Sequence, residues 1–425
     1  MEERAFLHAP TSEPGTRWFV AAAVLALVGI LLRQPLLLIL AVVLALLAAL
    51  ARLWWRHGLS AVTYTRRFGT ARAFWGEEIT LDLVTENAKP LPLVWLEVVD
   101  TFPSALEVVG TELEQSSTPR TKVFRGFFSV GPYERVRRRY RLRCAARGYY
   151  HFGPATLTTG DLFGFSARER EMPRVDWLIV YPRLVPVTAF GLPARQPLGD
   201  RPAAPPLVED PLRFAGVRPY APGDSPRRIH WRASARTGAL QTKQFEKSAT
   251  PTVALFLDTN TFEYFWEGFD PALLELAITV TASLAAHCLD EGRQVGLFAN
   301  APIAGSARFQ FIRLAPSRHP AHLPRILEAL ARLVPGTGFR IEEALIREGA
   351  ALPWGATVVV VTANVTAGLQ RALARLARGG HHPVLVSCGK EPALDPALRR
   401  RLTAYHIGGE ETWHALEALD LAVAG

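Results

Sequence analysis

The densest set of chemically capable side chains lies in one stretch, VRPYAPGDSPRRIHWRASARTGALQTKQFE, from Val217 to Glu246. Asp224, His230 and Glu246, with Cys144 and Cys288 elsewhere, are residue types that serve as acids, bases or nucleophiles. Catalysis needs them in a fixed constellation, and none of the usual frames is present. There is no G-x-S-x-G elbow, no HExxH helix and no GxxxxGK[ST] phosphate loop. The reading is therefore of a chain without catalytic residues and without a cofactor. The same stretch suits recognition better. Arg227, Arg228, Arg232 and Arg236 are matched to carboxylates, Asp224 beside Gly223 forms a turn, and Trp231 supplies area to bury. Arg218, Tyr220, His230, Gly238 and Lys243 complete the set. Two uses follow: a clamp between domains, which is preferred, or a surface that receives an acidic loop of a protein partner.

A second basic feature is the run ERVRRRYRLRC. Arg135, Arg137, Arg139, Arg141 and Arg143 occupy alternate positions, so a strand places all five on one face, with Val136, Tyr140 and Leu142 on the other. A ladder of like charge requires counter-charge on neighbouring strands or an anionic ligand. The whole chain of 425 residues carries a formal charge of +9, which suits anionic lipid, nucleic acid or an acidic protein face. Nucleic-acid binding is the alternative motivated by RRIHWR, although a single-strand channel wants several stacking aromatics along one groove. An uncharacterised hydrolase is a further alternative. Cys144, Cys288 and Cys388 form no CxxC pair and read as buried thiols of a reducing compartment.

The elements that position these residues begin with two uncharged runs, Trp18 to Leu32 and Leu36 to Ala51, separated by Arg33-Gln34-Pro35. Neither run has a polar face, which points to a transmembrane helical hairpin over residues 18–53, with Trp18, Trp54 and Trp55 at the interfaces. Arg4 and Arg17 precede it and Arg52, Arg56, Arg66 and Arg67 follow, against Arg33 alone in the turn, so both ends are expected in the cytoplasm at the plasma membrane. Residues 1–17 then form a cytoplasmic tail. Over 60–182 short alternating runs such as EITLDLVTEN, VWLEVVD, KVFRGFFSV and ATLTT predict a β-sandwich. Residues 183–216 are Pro-rich and read as a linker or strap, and 217–246 as the junction motif. From 250 to 425 apolar runs (VALFLD, VGLFAN, FQFIRL, ATVVVVTAN, PVLVSCG) alternate with helical stretches, ending in ETWHALEAL, and predict an α/β domain with a mostly parallel sheet.

Arg218, Tyr220, Gly223, Asp224, Arg227, Ile229, Trp231, Ala235, Arg236, Gly238 and Leu240 stand at the spacing R-x-Y-x-x-G-D-x-x-R-x-I-x-W-x-x-x-A-R-x-G-x-L. In this the chain resembles the family called domain of unknown function 58. RGYYHFGPATLTTGDLFGF, from Arg147 to Phe165, is similar to a second hallmark of that family, with Leu162 where D-P-F-G has proline. The resemblance implies an immunoglobulin-like sandwich, a C-terminal domain similar to von Willebrand factor A, and a MoxR-type AAA+ ATPase as partner in complex assembly or envelope maintenance. It implies no reaction. Domains like von Willebrand factor A hold Mg²⁺ with a D-x-S-x-S loop and a later Thr and Asp. Here the loop reads Asp258-Thr259-Asn260-Thr261-Phe262, and Thr362-Ala363-Asn364 follows the later strand. Asp258, Asn260 and Thr362 are thus a degenerate remnant, no bound metal is expected, and Asp258 is expected to cap the turn that follows it.

Overall fold

The computed structural model describes residues 16–161, 167–190, 214–221, 229–245, 251–305, 311–335, 339–408, 413 and 416–421. The chain divides into two compact units, one of residues 1–183 with 327–333, the other of residues 184–326 with 334–425.

The first unit opens with helices Thr16–Leu31 and Pro35–His57, packed against each other. The break between them is local chemistry. Arg33 takes a left-handed φ of 49°, the Gln34 amide donates back to the Gly29 carbonyl at 3.0 Å, and Pro35 starts the next helix where its missing N–H costs nothing. A Cβ on Gly29 would lie 3.1 Å from Leu37 Cβ, so glycine permits the close approach beside the turn. Ala22, Ala41, Ala48 and Ala51 are buried in this unit, whereas Leu27, Ile30, Leu36, Ile39 and Leu46 face outward, Leu36 being 73% exposed. The second helix has 23 residues and outruns its apolar run, continuing through Arg52, Trp54, Trp55 and Arg56. At 1.5 Å per residue that is about 35 Å, beyond the roughly 30 Å of a hydrocarbon core. Its last carbonyls are satisfied from the β-rich part. Arg168 Nη1 donates to Arg56 O at 2.9 Å, its guanidinium lies 5.2 Å over the Trp55 ring, and Arg170 Nη1 donates to Leu59 O at 3.1 Å.

The alternating runs form sheets as their period requires. Strands Val62–Phe68, Glu78–Asn87, Arg135–Arg143 and Glu107–Val108 make one sheet, in that order. Ala167–Met172, Ala155–Gly160, Leu93–Pro103, Thr121–Val130 and Glu114–Gln115 make another. Arg72–Phe74, Asp176–Tyr181 and Gly148–Phe152 make a third. Leu81, Leu83, Leu96, Phe102, Phe124, Leu142, Phe152 and Leu178, drawn from all three sheets, share one core. A polar knot is set into it. Buried Arg66 donates from Nε and Nη2 to the two oxygens of Asp100, both at 2.7 Å, and from Nη1 to Asp176 at 3.0 Å; Tyr64 adds a hydroxyl to Asp100 at 2.7 Å. Burial, with the Asp100 carboxylate beside it, pushes the Tyr64 phenol well above its usual pKa and keeps it a donor. Gly153, in the RGYYHFGP hallmark, closes over this knot with φ 95°, and a Cβ there would lie 2.5 Å from Arg66 Nη2. Gly153→Ala is expected to cost about 1–3 kcal/mol through strain and displacement of Arg66, read as a lower denaturation midpoint.

The second unit is built on a six-stranded sheet in the order Ile312–Ser317, Gln294–Ala299, Thr252–Leu257, Thr357–Thr362, His382–Cys388, Thr403–Ile407. Four of its five pairings are parallel and the edge strand Ile312–Ser317 is antiparallel. Central strands reading TVALFL and TVVVVT are buried along their whole length, as a parallel sheet covered on both faces demands. Ile341, Leu345, Leu369 and Leu373, from helices Ile341–Gly349 and Ala367–Arg378, pack against Ala254, Phe256, Val358 and Val360. Helix Pro271–Asp290, capped by Asp270, packs against four of the parallel strands with most of its residues buried, so its apolar length is that of a core helix. Within the Pro-rich stretch Val187–Phe190 is a strand, paired in parallel with Leu419–Leu421. The run ETWHALEAL, read as a last helix, does not continue as one: residues 416–418 are irregular and Leu419 opens that strand. Leu419 and Leu421 are buried around exposed Asp420, a two-residue period that the strand pairing satisfies and a helix would not.

Candidate functional site

Three groups of predicted site residues can be placed. In the signature, Gly223, Asp224, Arg227 and Arg228 lie outside the described residues. The remainder folds as a strand Phe214–Pro219, a short helix Trp231–Thr237 and a returning strand Gln241–Phe245 antiparallel to the first. Arg218 and Lys243 sit on the paired strands, and the Tyr220 amide donates to Leu240 O at 2.9 Å. His230 is the helix N-cap, its Nδ1 accepting from the Ala233 amide at 3.1 Å, and Gly238 ends the helix with a left-handed φ of 66°. Ser234 is the inward residue: its hydroxyl donates to His230 O at 3.1 Å and accepts from the Gln241 amide at 2.8 Å. With Ser234 and Ile229 turned in, the outer face carries Trp231, Arg232 and Arg236, all exposed. Trp231, expected to supply buried area, is 68% exposed, because the helix spends its inward positions on a serine and alanine rather than on the indole.

The arginine ladder pairs along its strand. Arg135 lies opposite Glu86 and bonds it at 2.8 Å; Arg137 and Arg139 both hold Asp82, the latter at 3.0 Å; Arg141 reaches Glu78 at 3.4 Å; Arg143 lies opposite Glu78 and Glu107 in register. The hydrogen bond from Arg137, with Arg139 beside it, holds the Asp82 carboxyl below its usual range. The arginines stay more than half exposed, and the pairs are screened and individually weak. Val136, Tyr140 and Leu142 turn to the core; Arg138 shares their parity but stays exposed, its guanidinium lying 4.2 Å over the Phe128 ring.

At the carboxyl ends of the parallel strands Asp258, Asn260 and Thr362 do come together, organised by a residue that spacing alone did not reveal, Asn300. Its Nδ2 donates to Asp258 Oδ1 at 2.7 Å and to Phe339 O at 3.0 Å, and its Oδ1 accepts from the Thr259 amide at 2.7 Å and the Thr259 hydroxyl at 3.0 Å. These partners fix which way the amide points. Asp258 also accepts from the Asn260 amide at 3.1 Å, the turn cap expected of it, and from Thr362 Oγ1 at 2.9 Å. Burial pushes Asp258 up to about 6, against the pull of these donors. The donor set does not suit a hard cation. Both oxygens of Asp258 are engaged, and the group facing Oδ1 is an amide N–H, which repels a cation. Among the described residues no cluster of three or more His, Cys, Asp or Glu could hold a metal ion. Asn300→Ala removes one donor each from Asp258 Oδ1 and Phe339 O, which keep a donor from Asn260, and takes the acceptor from the Thr259 amide and hydroxyl; it is expected to lower stability by about 1–3 kcal/mol in equilibrium unfolding.

Over 241 residues the chain is 25% identical to uncharacterized protein YeaD of Bacillus subtilis (strain 168), covering 57% of this chain and 56% of that protein, so it spans about half the length of the curated relative it matches. Among solved structures it is similar to the conserved hypothetical protein BatB from Bacteroides thetaiotaomicron, at 15% identity over 39% of this chain and 95% of that one, with a TM-score of 0.27. It is also similar to proximal thread matrix protein 1 from the mussel byssus, at 13% identity over 40% and 46% of the two chains, with a TM-score of 0.29. Over residues 216–394, which hold both the arginine-bearing helix and the strand-end polar network, this chain matches the family described as protein of unknown function DUF58.

Proposed function

We propose that the chain is a membrane-tethered adaptor: the N-terminal helices form a transmembrane hairpin at the plasma membrane, both folded units face the cytoplasm, and protein partners dock on the second unit. The observation that carries this reading is the outward-facing apolar surface of the hairpin, where Leu27, Ile30, Leu36, Ile39 and Leu46 are exposed on helices without a polar face. Arginines that are more numerous at the ends than the single Arg33 of the turn support the orientation. In this account the β-rich part is an immunoglobulin-like sandwich and the second unit is similar to von Willebrand factor A, with a polar lock in place of a metal. The partner that the family resemblance implies is a MoxR-type AAA+ ATPase, and the exposed Trp231, Arg232 and Arg236 are the contact that fits an acidic face on it. The adaptor carries out no chemistry of its own.

Affinity capture of the full chain from detergent extracts tests the partner. The chain is expected to bring down a MoxR-type ATPase, and Trp231→Ala with Arg232→Glu and Arg236→Glu to reduce the yield about tenfold or more. Recovery of no ATPase by the unaltered chain, in membranes that contain one, refutes this reading.

A further inference from the structure

The loop after the strand Thr252–Leu257 exposes aromatic area. Phe262, Tyr264, Trp266 and Phe269 are each 36–69% exposed. The loop is tied at its ends. The Asp270 amide donates to the Thr261 hydroxyl at 2.7 Å and closes its ends. A short 3₁₀ turn, Phe265–Glu267, lies within, with the Glu267 amide on Tyr264 O at 3.1 Å and Gly268 at φ 86°. The Tyr264 and Trp266 rings stack with centroids 4.6 Å apart. The result is a pre-ordered aromatic platform, which lowers the entropy cost of binding. Its charge is distinctive too. Glu263 and Glu267 are exposed on the loop, and no lysine or arginine occurs between Lys247 and Arg293, in a chain whose net charge is +9. Carboxylates beside aromatic faces suit a guanidinium that stacks and is hydrogen-bonded at its edge.

We infer that this loop docks the arginine-bearing helix of a second copy of the same chain, its Glu263 and Glu267 meeting Arg232 and Arg236 while Trp231 packs on the Tyr264–Trp266 platform. The inference rests on the reading of that helix as a protein-docking element, and names the chain itself as one of its partners. Charge complementarity selects the occupant: the same unit exposes an aromatic–basic helix and an aromatic–acidic loop. Tethering in one membrane raises the effective concentration of copies, so a weak contact suffices. Because loop and helix are different surfaces, the contact is head-to-tail, giving rings, or short chains with one loop and one helix free at their ends, rather than a closed two-fold dimer.

Sedimentation velocity of the full chain in neutral detergent, at low and at high salt, tests the contact. Association beyond a dimer is expected at low salt, weakened by salt. Glu263→Arg with Glu267→Arg, and separately Arg232→Glu with Arg236→Glu, are each expected to weaken it about tenfold or more, since each opposes like charges across the contact. An equimolar mixture of the two variants should associate again, because the altered loop of one meets the altered helix of the other; that rescue also shows both variants to be folded. A chain that remains monomeric at low salt overturns the inference, as does association that both variants retain, which would place the contact in the hairpin, or a mixture that fails to associate. ATPase capture by a chain that does not self-associate removes this contact and leaves the adaptor reading standing.

Discussion

Asp100→Ala is expected to destabilise the β-rich unit by about 3–5 kcal/mol, the cost of leaving Nε and Nη2 of a buried guanidinium without their acceptor while only Nη1 keeps Asp176. Arg66 and Asp100 have almost no solvent contact, and their side chains share two 2.7 Å hydrogen bonds in parallel. Removing the carboxylate also orphans the Tyr64 hydroxyl, which has Asp100 as its acceptor. Arg66→Met leaves the buried Asp100 carboxyl without its counter-charge, so it should cost a similar amount. The double variant, Arg66→Met with Asp100→Leu, is expected to be less destabilised than the sum of the two, because the penalty in each single variant is mostly that of the abandoned partner. Urea unfolding of the four proteins, followed by the intrinsic fluorescence of the unit, measures that coupling. Strict additivity would mean that the two side chains do not form a unit.

Asp258→Asn is expected to reshape the dependence of stability on pH. The carboxyl of Asp258 sits at about 6 in the folded chain, above the value of roughly 3.9 it takes when unfolded. A carboxyl with a raised folded pKa favours the fold below its unfolded value, and that contribution disappears as pH rises through the folded one. Between about pH 4 and pH 7 the unaltered chain should therefore lose on the order of 2–3 kcal/mol that the Asp258→Asn variant keeps. Asparagine preserves the network: its oxygen accepts from Asn300 and Asn260, while its amide can donate to Thr362 Oγ1, whose own hydrogen is free to turn to Asn364 O at 2.9 Å. The variant is thus expected to match or fall below the unaltered chain near pH 4 and to exceed it above pH 7. Parallel denaturation curves at both pH values would show that Asp258 does not titrate in this range.

Periodicity carried much of this architecture in plain view. The uncharged runs around Arg33-Gln34-Pro35 become a helical pair, Glu78–Asn87 and Thr121–Val130 become strands close to the runs that announced them, and alternation alone sorted Arg135 from Val136. What spacing does not encode is which strand ends meet. Asn300 reaches Asp258 across 42 residues from the end of a neighbouring strand, and Asp100 reaches Arg66 across 34 from a strand of another sheet; only the folded sheets determine either meeting. Trp231 misled because an indole among arginines reads as an anchor, whereas the helix around it turns in Ser234. The helix formers of ETWHALEAL suggest a helix through Leu419, whereas Leu419 itself pairs with the strand Val187–Phe190. The aromatic loop gave no signal as a run of residues; its meaning depends on the Thr261–Asp270 bond that ties its ends.

Membrane tethering by a hairpin is tested most directly with single introduced cysteines and a membrane-impermeant maleimide. Cys144, Cys288 and Cys388 are buried, and burial pushes their thiols up to about 11, about 12 and about 12, so they should not compete for the reagent. Gln34→Cys marks the turn between the helices, and Tyr133→Cys marks the β-rich unit, where Tyr133 is exposed. In intact cells the Gln34→Cys variant is expected to be labelled and the Tyr133→Cys variant only after lysis, with the chain resisting alkaline carbonate extraction. Labelling of the Tyr133→Cys variant in intact cells, or release of the chain by carbonate, would contradict the hairpin.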